Sequence, residues 1–257
     1  MKTNNTQTLL KKIEEKQFAS DKFHTLTNNK NLSPGGIKDI PQSWIKIHFK
    51  TYPRFDRINF DDLKIAKGKL SEVIRKRQSI RHFSGLSISK NELYYLLFLS
   101  CGITHLTKDL DNSRRSYPSA GARYPLEVYP IVLNCKGIKK GLYHYNVKGN
   151  YLESLSTEDL DTWLIKTTGG EKWTKNAAVV FIITGVLDRT RIKYDNRGYR
   201  YTLIEAGHLG QNICLLATEL GLGNCPLGGY IDDEVNKLLD INLQKEVALY
   251  MIAIGKP

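Results

Sequence analysis

The stretch YRYTLIEAGHLGQNICLLATEL, residues 199–220, is the longest segment of the chain with a helical period. Its apolar and small residues recur every three or four positions, which is the spacing of one face of an α-helix. The pattern ends at Gly221 and Gly223. A helix face made of apolar and small side chains favours packing against another helix across a two-fold axis. The residues of this predicted apolar stripe are Leu203, Ala206, Gly210, Ile213, Cys214, Ala217 and Leu220.

Strand and helix patterns alternate around this segment. Ser89 and Glu92 form a capping box, which predicts the start of a helix that ends at Gly102. Apolar runs predict strands at 126–133, 177–185 and 247–255, and a hairpin at 141–155 with its turn at 148–150. Further helices are predicted at 69–77, at 156–166 with Ser156 or Thr157 as N-cap, and at 232–239. This mixture predicts an α+β fold.

Length and composition exclude several protein classes. A chain of 257 residues with 41% hydrophobic and 25% charged residues can bury a sizeable core as one large or two small domains. Collagen-like, disulfide-framework and wholly disordered proteins are excluded. No apolar run approaches a membrane-spanning length, and the first thirty residues lack the apolar core of a signal peptide. We therefore expect a cytoplasmic protein that is not bound to a membrane.

The amino-terminal quarter carries half of the basic excess. The formal net charge is +12, and residues 1–60 hold 11 basic and 5 acidic residues. No run reaches five like charges and no zinc-finger or RNA-binding pattern occurs, so a lysine-rich surface is favoured over a nucleic-acid partner. We expect a helix at 4–17, a loop at 25–41 and an extended arm at 44–60. The predicted division is a basic arm, 1–62, followed by the main domain, 63–257.

The cysteines and histidines form no metal or redox motif. The spacings between the four cysteines match neither a zinc site nor a CxxC pair. Reduced structural cysteines are the default in the cytosol. We therefore expect no metal and four free thiols, those of Cys101, Cys135, Cys214 and Cys225.

Three short clusters depart from this ordinary pattern. In RQSIR, residues 77–81, arginine and serine alternate, so an extended chain would place them on one side, where guanidinium groups suit a phosphate. In RSYPSAGARYP, residues 115–125, small residues between prolines let a flat ligand approach the backbone. The third cluster, IKYDNRGYRY at 192–201, is a charged loop before the long helix. A solvated helix end, a tight turn and a surface loop are the respective alternatives.

These clusters and two further motifs occur in a familiar order. The motifs are RQSIRHF (77–83), SYPSAGARYPLEVY (116–129), GLYHY (141–145), IKYDNRGYRYTLIEAGHLGQN (192–212) and GLGNCPLGGY (221–230). Together they resemble the SagB/McbC-type azoline (thiazoline/oxazoline) dehydrogenases, a branch of the FMN-dependent nitroreductase-like superfamily. The resemblance covers about residues 65–257. It implies a nitroreductase-like α+β fold with a mixed, mainly antiparallel central sheet flanked by helices, and a homodimer with FMN between the subunits.

The resemblance also implies which residues contact FMN. Three segments match the family's cofactor contacts: the phosphate and ribityl contacts, the backbone that lies against the flavin ring from the partner subunit, and the amides near the reactive flavin nitrogen. A lysine stands where many relatives have an arginine near the phosphate, and it lacks the bidentate fork. Arg77, Ser79 and Arg81 match the phosphate and ribityl contacts, and Pro118, Ser119, Ala120 and Gly121 match the backbone against the flavin ring. Leu227, Gly228 and Gly229 match the amides near the reactive nitrogen, and the lysine is Lys256.

Lys193 and Tyr194 resemble the catalytic lysine–tyrosine pair of this branch. Aromatising an azoline ring removes a hydride, which FMN can accept, and a proton, which needs a base. A tyrosine is protonated at neutral pH, and a nearby ammonium favours its phenolate form. Neighbours in sequence do not share a face of a helix or strand, so the pair cooperates only if the chain bends here.

The expected function is therefore the oxidation of thiazoline or oxazoline rings in a ribosomally made peptide of the bacteriocin kind, with oxygen as the final electron acceptor. Cyclodehydratase proteins are the expected partners, and the basic arm is a candidate for docking them. Three alternatives stay open: an NAD(P)H-dependent nitro- or quinone reductase, a thiazoline oxidase of nonribosomal synthesis, and a non-catalytic scaffold of a peptide-modifying complex.

Overall fold

The computed structural model describes residues 18–27, 69–108 and 113–257. The strands are β1 (Ile88–Ser89), β2 (Ile103–His105), β3 (Arg114–Arg115), β4 (Leu126–Val132), β5 (Cys135–Lys136), β6 (Gly141–Asn146), β7 (Tyr151–Ser156), β8 (Val179–Val186), β9 (Gly223–Leu227) and β10 (Glu246–Gly255). The α-helices are α1 (Ala19–Thr27), α2 (Lys69–Lys76), α3 (Lys90–Cys101), α4 (Asp161–Thr167), α5 (Asp188–Tyr194), α6 (Arg197–Glu219) and α7 (Asp232–Leu239). Two 3₁₀ turns cover Ala120–Ala122 and Lys172–Asn176.

A six-stranded sheet in the order β7-β6-β4-β8-β10-β9 forms the centre of the chain. All of its strand pairs are antiparallel, whereas a mixed, mainly antiparallel sheet was predicted. The first seven residues of β8 are buried, because this strand is hydrogen-bonded on both edges and covered on both faces. Its continuous run of β-branched and aromatic residues, VVFII, is what made the strand predictable.

Helices cover both faces of the sheet. On one face, α3 and α6 pack against the strands through a cluster that includes Leu96, Leu209 and Phe181. On the other face, α4 and α7 form a second cluster, which includes Leu164 and Val235. The predicted α+β architecture is confirmed. None of the helices in the described ranges is long and apolar enough to cross a membrane.

The long helix packs within its own chain. Most of its apolar stripe lies in the core against the sheet and α3, so the stripe is not the face that meets a partner helix. Leu203 departs from the pattern, since 40% of it is exposed. Close packing explains why glycine stands at position 210 inside the helix, since an added Cβ would lie 2.8 Å from the Tyr250 ring. It does not explain Gly207, where nothing lies within 4 Å of an added Cβ.

Most predicted element bounds are confirmed. The capping box is present: Ser89 Oγ accepts from the amide of Glu92 at 3.1 Å, and the Glu92 carboxylate accepts from the amide of Ser89 at 2.6 Å. The helix predicted at 156–166 is wrong at its start. It begins at Asp161, because Ser156 is the last residue of β7 and pairs with Leu142 of β6.

The first helix belongs to the predicted arm and packs on α5 and α6. The amide of Ala19 donates to Asn196 Oδ1 at 3.0 Å, and Tyr199 Oη lies 2.8 Å from His24 Nδ1. Arg191, buried, pairs with Asp21. The predicted loop 25–41 is wrong for residues 25–27, which end α1, and its remainder lies outside the described residues, as do the helix at 4–17, the arm at 44–60 and the boundary at residue 62.

Candidate functional site

The turn between β3 and β4 has an unusual backbone. Gly121, Ala122 and Tyr124 have φ angles of 60°, 52° and 45°, in the left-handed region that side chains disfavour. The amide of Ala122 donates to the carbonyl of Ser119 at 3.0 Å, which closes the turn. Strained backbone of this kind persists where surrounding contacts hold it, and it is often found at functional sites. The segment 118–121 was predicted to approach a flat ligand.

Lys193 and Tyr194 meet over this turn. A Cβ built on Gly121 would lie 2.5 Å from Tyr194 Oη and 2.9 Å from Lys193 Nζ, so both polar atoms approach one point above the glycine backbone. The Lys193 ammonium also lies 5.3 Å from the centre of the Tyr194 ring. Sequence neighbours thus reach the same place, because the long lysine side chain folds back toward the phenol.

The segment that carries this pair is helical, which corrects the prediction of a loop. Lys193 and Tyr194 are the last two residues of α5, so the prediction that the pair can meet only where the chain bends is wrong. The chain turns directly after them, at Asp195, whose φ is 52°. The side chain of Thr190 donates to the carbonyl of Leu187 at 3.0 Å and supports the first turn. Lys193 is exposed and Tyr194 half-buried, so a substrate can reach both.

A buried carboxyl group that was not among the predicted site residues is hydrogen-bonded to the turn. Glu205 of α6 is 2% exposed. Its Oε1 accepts hydrogen bonds from Ser119 Oγ at 2.9 Å and from the amide of Ala120 at 3.0 Å. Burial raises the pKa of this carboxyl to about 7, although these hydrogen bonds and the charge of Arg115 favour the ionised form.

A second group of predicted residues lies where β9 begins and β10 ends. Ser79 pairs with Asn224 of β9, and the amide of Ile80 donates to the Asn224 carbonyl at 2.8 Å. Lys256 comes next to this segment, because its carbonyl accepts from the amide of Ser84 at 2.9 Å. These backbone contacts place the segment 77–81, which carries Arg77, Ser79 and Arg81, and the end of β10 before Lys256 at the same edge of the sheet.

The third group, Leu227, Gly228 and Gly229, follows at the other end of β9. Leu227 is buried, whereas both glycines are exposed and an added Cβ on either would meet nothing within 4 Å. The five residues of β9 span about 16 Å. The segment with the predicted phosphate residues thus lies at one end of β9, and open glycine backbone lies at the other. Arginine, lysine and serine side chains are donors that suit a phosphate, so these residue types would fit FMN, an elongated ligand that carries one.

The sequence matches the family model described as "Nitroreductase family" over residues 74–256. The chain belongs to the nitroreductase family. A protein of Methanocaldococcus jannaschii, "Putative nitroreductase MJ1384", is 33% identical over 192 residues, which are 75% of this chain and 93% of that protein. Members of the family use FMN, and a solved structure from Desulfovibrio desulfuricans, described as a putative nitroreductase in complex with FMN, has a TM-score of 0.52, 18% identity, and coverage of 75% of this chain and 88% of that one.

The resemblance to McbC-type proteins is confirmed as well. The microcin B17-processing protein McbC of Escherichia coli is 34% identical over 147 residues, which are 54% of this chain and 53% of McbC. The alignment thus spans about half of that relative. The E. coli microcin synthetase McbBCD complex with truncated pro-MccB17 bound contains a chain with the same fold, with a TM-score of 0.72 and 22% identity over 96% of this chain and 97% of that one.

Proposed function

We propose that this member of the nitroreductase family is an FMN-dependent dehydrogenase that converts thiazoline or oxazoline rings of a ribosomally made peptide into thiazole or oxazole rings. The observation that carries the proposal is the meeting of Lys193 Nζ and Tyr194 Oη over Gly121. A reduction of a nitro group needs no base of this kind, whereas aromatising an azoline ring does. The similarity to a microcin-processing protein supports the same substrate class.

In this proposal, Tyr194 removes the proton. Its phenolate takes the proton from the former α-carbon of the azoline ring, and the ammonium of Lys193 stabilises the phenolate charge. Two protons and two electrons leave the ring in total, the second proton as part of a hydride. Bound FMN would supply the hydride acceptor, with molecular oxygen, reduced to peroxide, as the proposed final acceptor of the two electrons.

The residues proposed to hold FMN are those already grouped around β9. Arg77, Ser79, Arg81 and Lys256 would bind the phosphate and the ribityl chain through charge-assisted hydrogen bonds. The backbone of 227–229, and in the proposed homodimer that of 118–121 from the other subunit, would lie against the flavin ring, since Gly121, Gly228 and Gly229 are exposed and carry no side chain there.

We also propose that the chain is a homodimer. The helix α2 has no buried residue, and Leu70 and Ile74 on it are 65% and 55% exposed. It packs on α6, whose Leu203 and Ile204 are 40% and 51% exposed. Exposed large apolar residues on adjoining helices are typical of a protein interface. A cytoplasmic complex with cyclodehydratase proteins is proposed by analogy with the relative in the McbBCD complex.

Substitutions of the pair test the proposal. Tyr194→Phe and Lys193→Ala, each saturated with FMN, should lose turnover of an azoline peptide by about 100-fold or more. The matched control is Tyr201→Phe, because the Tyr201 ring makes an edge contact with Tyr194 at 5.1 Å. If both substitutions keep wild-type turnover while the chain still binds FMN, the catalytic assignment is wrong.

A nicotinamide-dependent nitro- or quinone reductase is the second candidate, favoured by the similarity to the M. jannaschii protein along 93% of its length. An anaerobic titration of the FMN-loaded protein with NADPH and NADH separates the two. Rapid bleaching of the flavin band would favour the reductase. A flavin band that bleaches only with an azoline substrate would favour the dehydrogenase. Comparing azolines on a carrier protein with azolines in a peptide would then distinguish a nonribosomal from a ribosomal substrate. A chain that binds no flavin would favour a scaffold.

A further inference from the structure

Glu205 is a buried acid that the proposed chemistry does not use. It lies on the core side of α6, four residues before the fully buried Leu209. One oxygen, Oε1, accepts two hydrogen bonds from the turn, while Oε2 is buried without a hydrogen-bond partner in the part of the chain that the structure describes. Burying a carboxyl costs free energy that an apolar residue at the same position would not. A buried carboxyl at this position therefore indicates a function that an apolar residue could not supply, and its hydrogen bonds to the turn indicate where that function lies.

The hydrogen bonds of Glu205 continue across the whole turn. Ser119 Oγ donates to the Glu205 carboxyl and accepts from the amide of Tyr124 at 2.8 Å. The two contacts join the beginning and the end of a segment that contains three left-handed residues. Arg189 adds a third support by donating to the Tyr124 carbonyl at 3.1 Å. Without these contacts the backbone would relax to a less strained conformation.

The position of the proposed catalytic pair depends on this turn, because the Gly121 backbone is the surface that Lys193 Nζ and Tyr194 Oη approach. The geometry points to Glu205 as a positioning residue, which fixes the turn 118–124 and thereby the place where Lys193 and Tyr194 meet the substrate. Its catalytic consequence rests on the proposed function, but its hold on the turn does not.

Two ionisable groups from the segment before the turn also face Glu205. The Arg115 guanidinium lies 5.0 Å from the centre of the Tyr124 ring and favours the ionised carboxyl, and the buried Tyr117 lies close enough to interact with its charge. Arg115 also donates to Tyr117 Oη at 3.3 Å. The carboxyl thus joins helix α6 to the turn and to the segment that precedes it.

Hydrogen exchange in the FMN-saturated full chain tests this role. Removing the acceptor by Glu205→Ala, or one donor by Ser119→Ala, should speed exchange of the amides in 118–124 about tenfold or more. Glu205→Gln keeps an acceptor oxygen and should restore most of the protection. The matched control is Glu219→Gln on the same helix, where the carboxylate accepts from Tyr95 at an exposed site. It should leave exchange of the turn unchanged.

Turnover provides the second readout. Glu205→Ala should lower kcat about ten- to hundredfold and change KM little, since a displaced turn misplaces the base rather than removing a substrate contact. Unchanged exchange at 118–124 in Glu205→Ala would overturn the proposal, and so would a rise of equal size in β8, which would make Glu205 a residue of global stability. If Glu205→Ala does not fold, Ser119→Ala and Glu205→Gln decide by the same readouts. If the wild type oxidises no azoline, the proposed function fails and exchange alone decides the role of Glu205.

Discussion

Replacing Gly121 by alanine should separate the position of the catalytic pair from the stability of the fold. The added methyl group would lie 2.5 Å from Tyr194 Oη and 2.9 Å from Lys193 Nζ, whereas ordinary contact begins at 3.4 Å. The phenol oxygen must therefore move by about 1 Å, and a misplacement of that size can lower turnover about 100-fold. Both atoms are the far ends of flexible side chains, so they can move without disturbing the core.

The cost in stability should be small. A left-handed alanine is disfavoured by about 1–2 kcal/mol, and the reduced freedom of the unfolded chain returns about 0.4–1 kcal/mol. The free energy of unfolding should fall by about 1 kcal/mol, which for a chain of this size lowers Tm by about 2–4 °C. Thermal unfolding and azoline turnover, both measured with saturating FMN, give the two quantities.

Gly137→Ala is the matched control for this experiment. Gly137 has a φ of 80°, and an added Cβ there would meet nothing within 4 Å, so the substitution introduces the same backbone strain without the contact. It should lower Tm by a similar amount and leave turnover unchanged. Full turnover in Gly121→Ala, or an equal loss in Gly137→Ala, would refute the reasoning that the space above Gly121 positions the pair.

Three further predictions concern separate parts of the molecule. Burial raises the pKa of Glu205 from 4.5 to about 7, so between these values the folded chain holds a proton that the unfolded chain has released. The wild-type free energy of unfolding should therefore fall as the pH rises from 5 to 8, by at most about 3 kcal/mol, and chemical denaturation of Glu205→Gln should lack this fall. Arg77→Ala and Arg81→Ala should each weaken FMN binding about ten- to hundredfold in a fluorescence titration, whereas Lys256→Arg should preserve it. Arg75→Ala, in the last turn of α2, should have no effect, and equal losses in all four variants would argue against the predicted phosphate site. Ser89→Ala removes the cap of α3 and should cost about 1 kcal/mol in urea denaturation, and Ser156→Ala, at a residue that caps no helix, should cost less; the reverse order would contradict the observed start of α4.

Local patterns in the sequence were enough for most of the fold. The buried run of β8, the hairpin of β6 and β7 and the capping box at Ser89 are each determined by residues close together in the chain. The start of α4 was predicted wrongly for the same reason. Ser156 is a good N-cap by itself, but it pairs with Leu142 across the hairpin, and a strand pair formed at long range overrides a local preference.

The site divides in the same way. The residues 118–121 and the pair Lys193 and Tyr194 were found by their resemblance to a family, and their meeting in space depends on the left-handed turn at Gly121 and on the way α5 lies over it, which no local spacing requires. The helical period predicted which side of α6 is buried, but it did not predict that this side packs within the chain rather than against a partner.

Glu205 shows what a sequence can signal without resolving. Its place four residues before Leu209 puts a carboxyl on the buried side of an amphipathic helix, where an acid is costly unless it is hydrogen-bonded. That conflict between residue type and position is visible in the sequence and marks a residue with a special role. The hydrogen-bond donors that resolve it, Ser119 and the amide of Ala120, lie about 85 residues earlier in the chain, so only the folded structure identifies them. An acidic residue on the buried face of an amphipathic helix is therefore a reason to look for backbone amides or hydroxyls of a strained segment packed against that face.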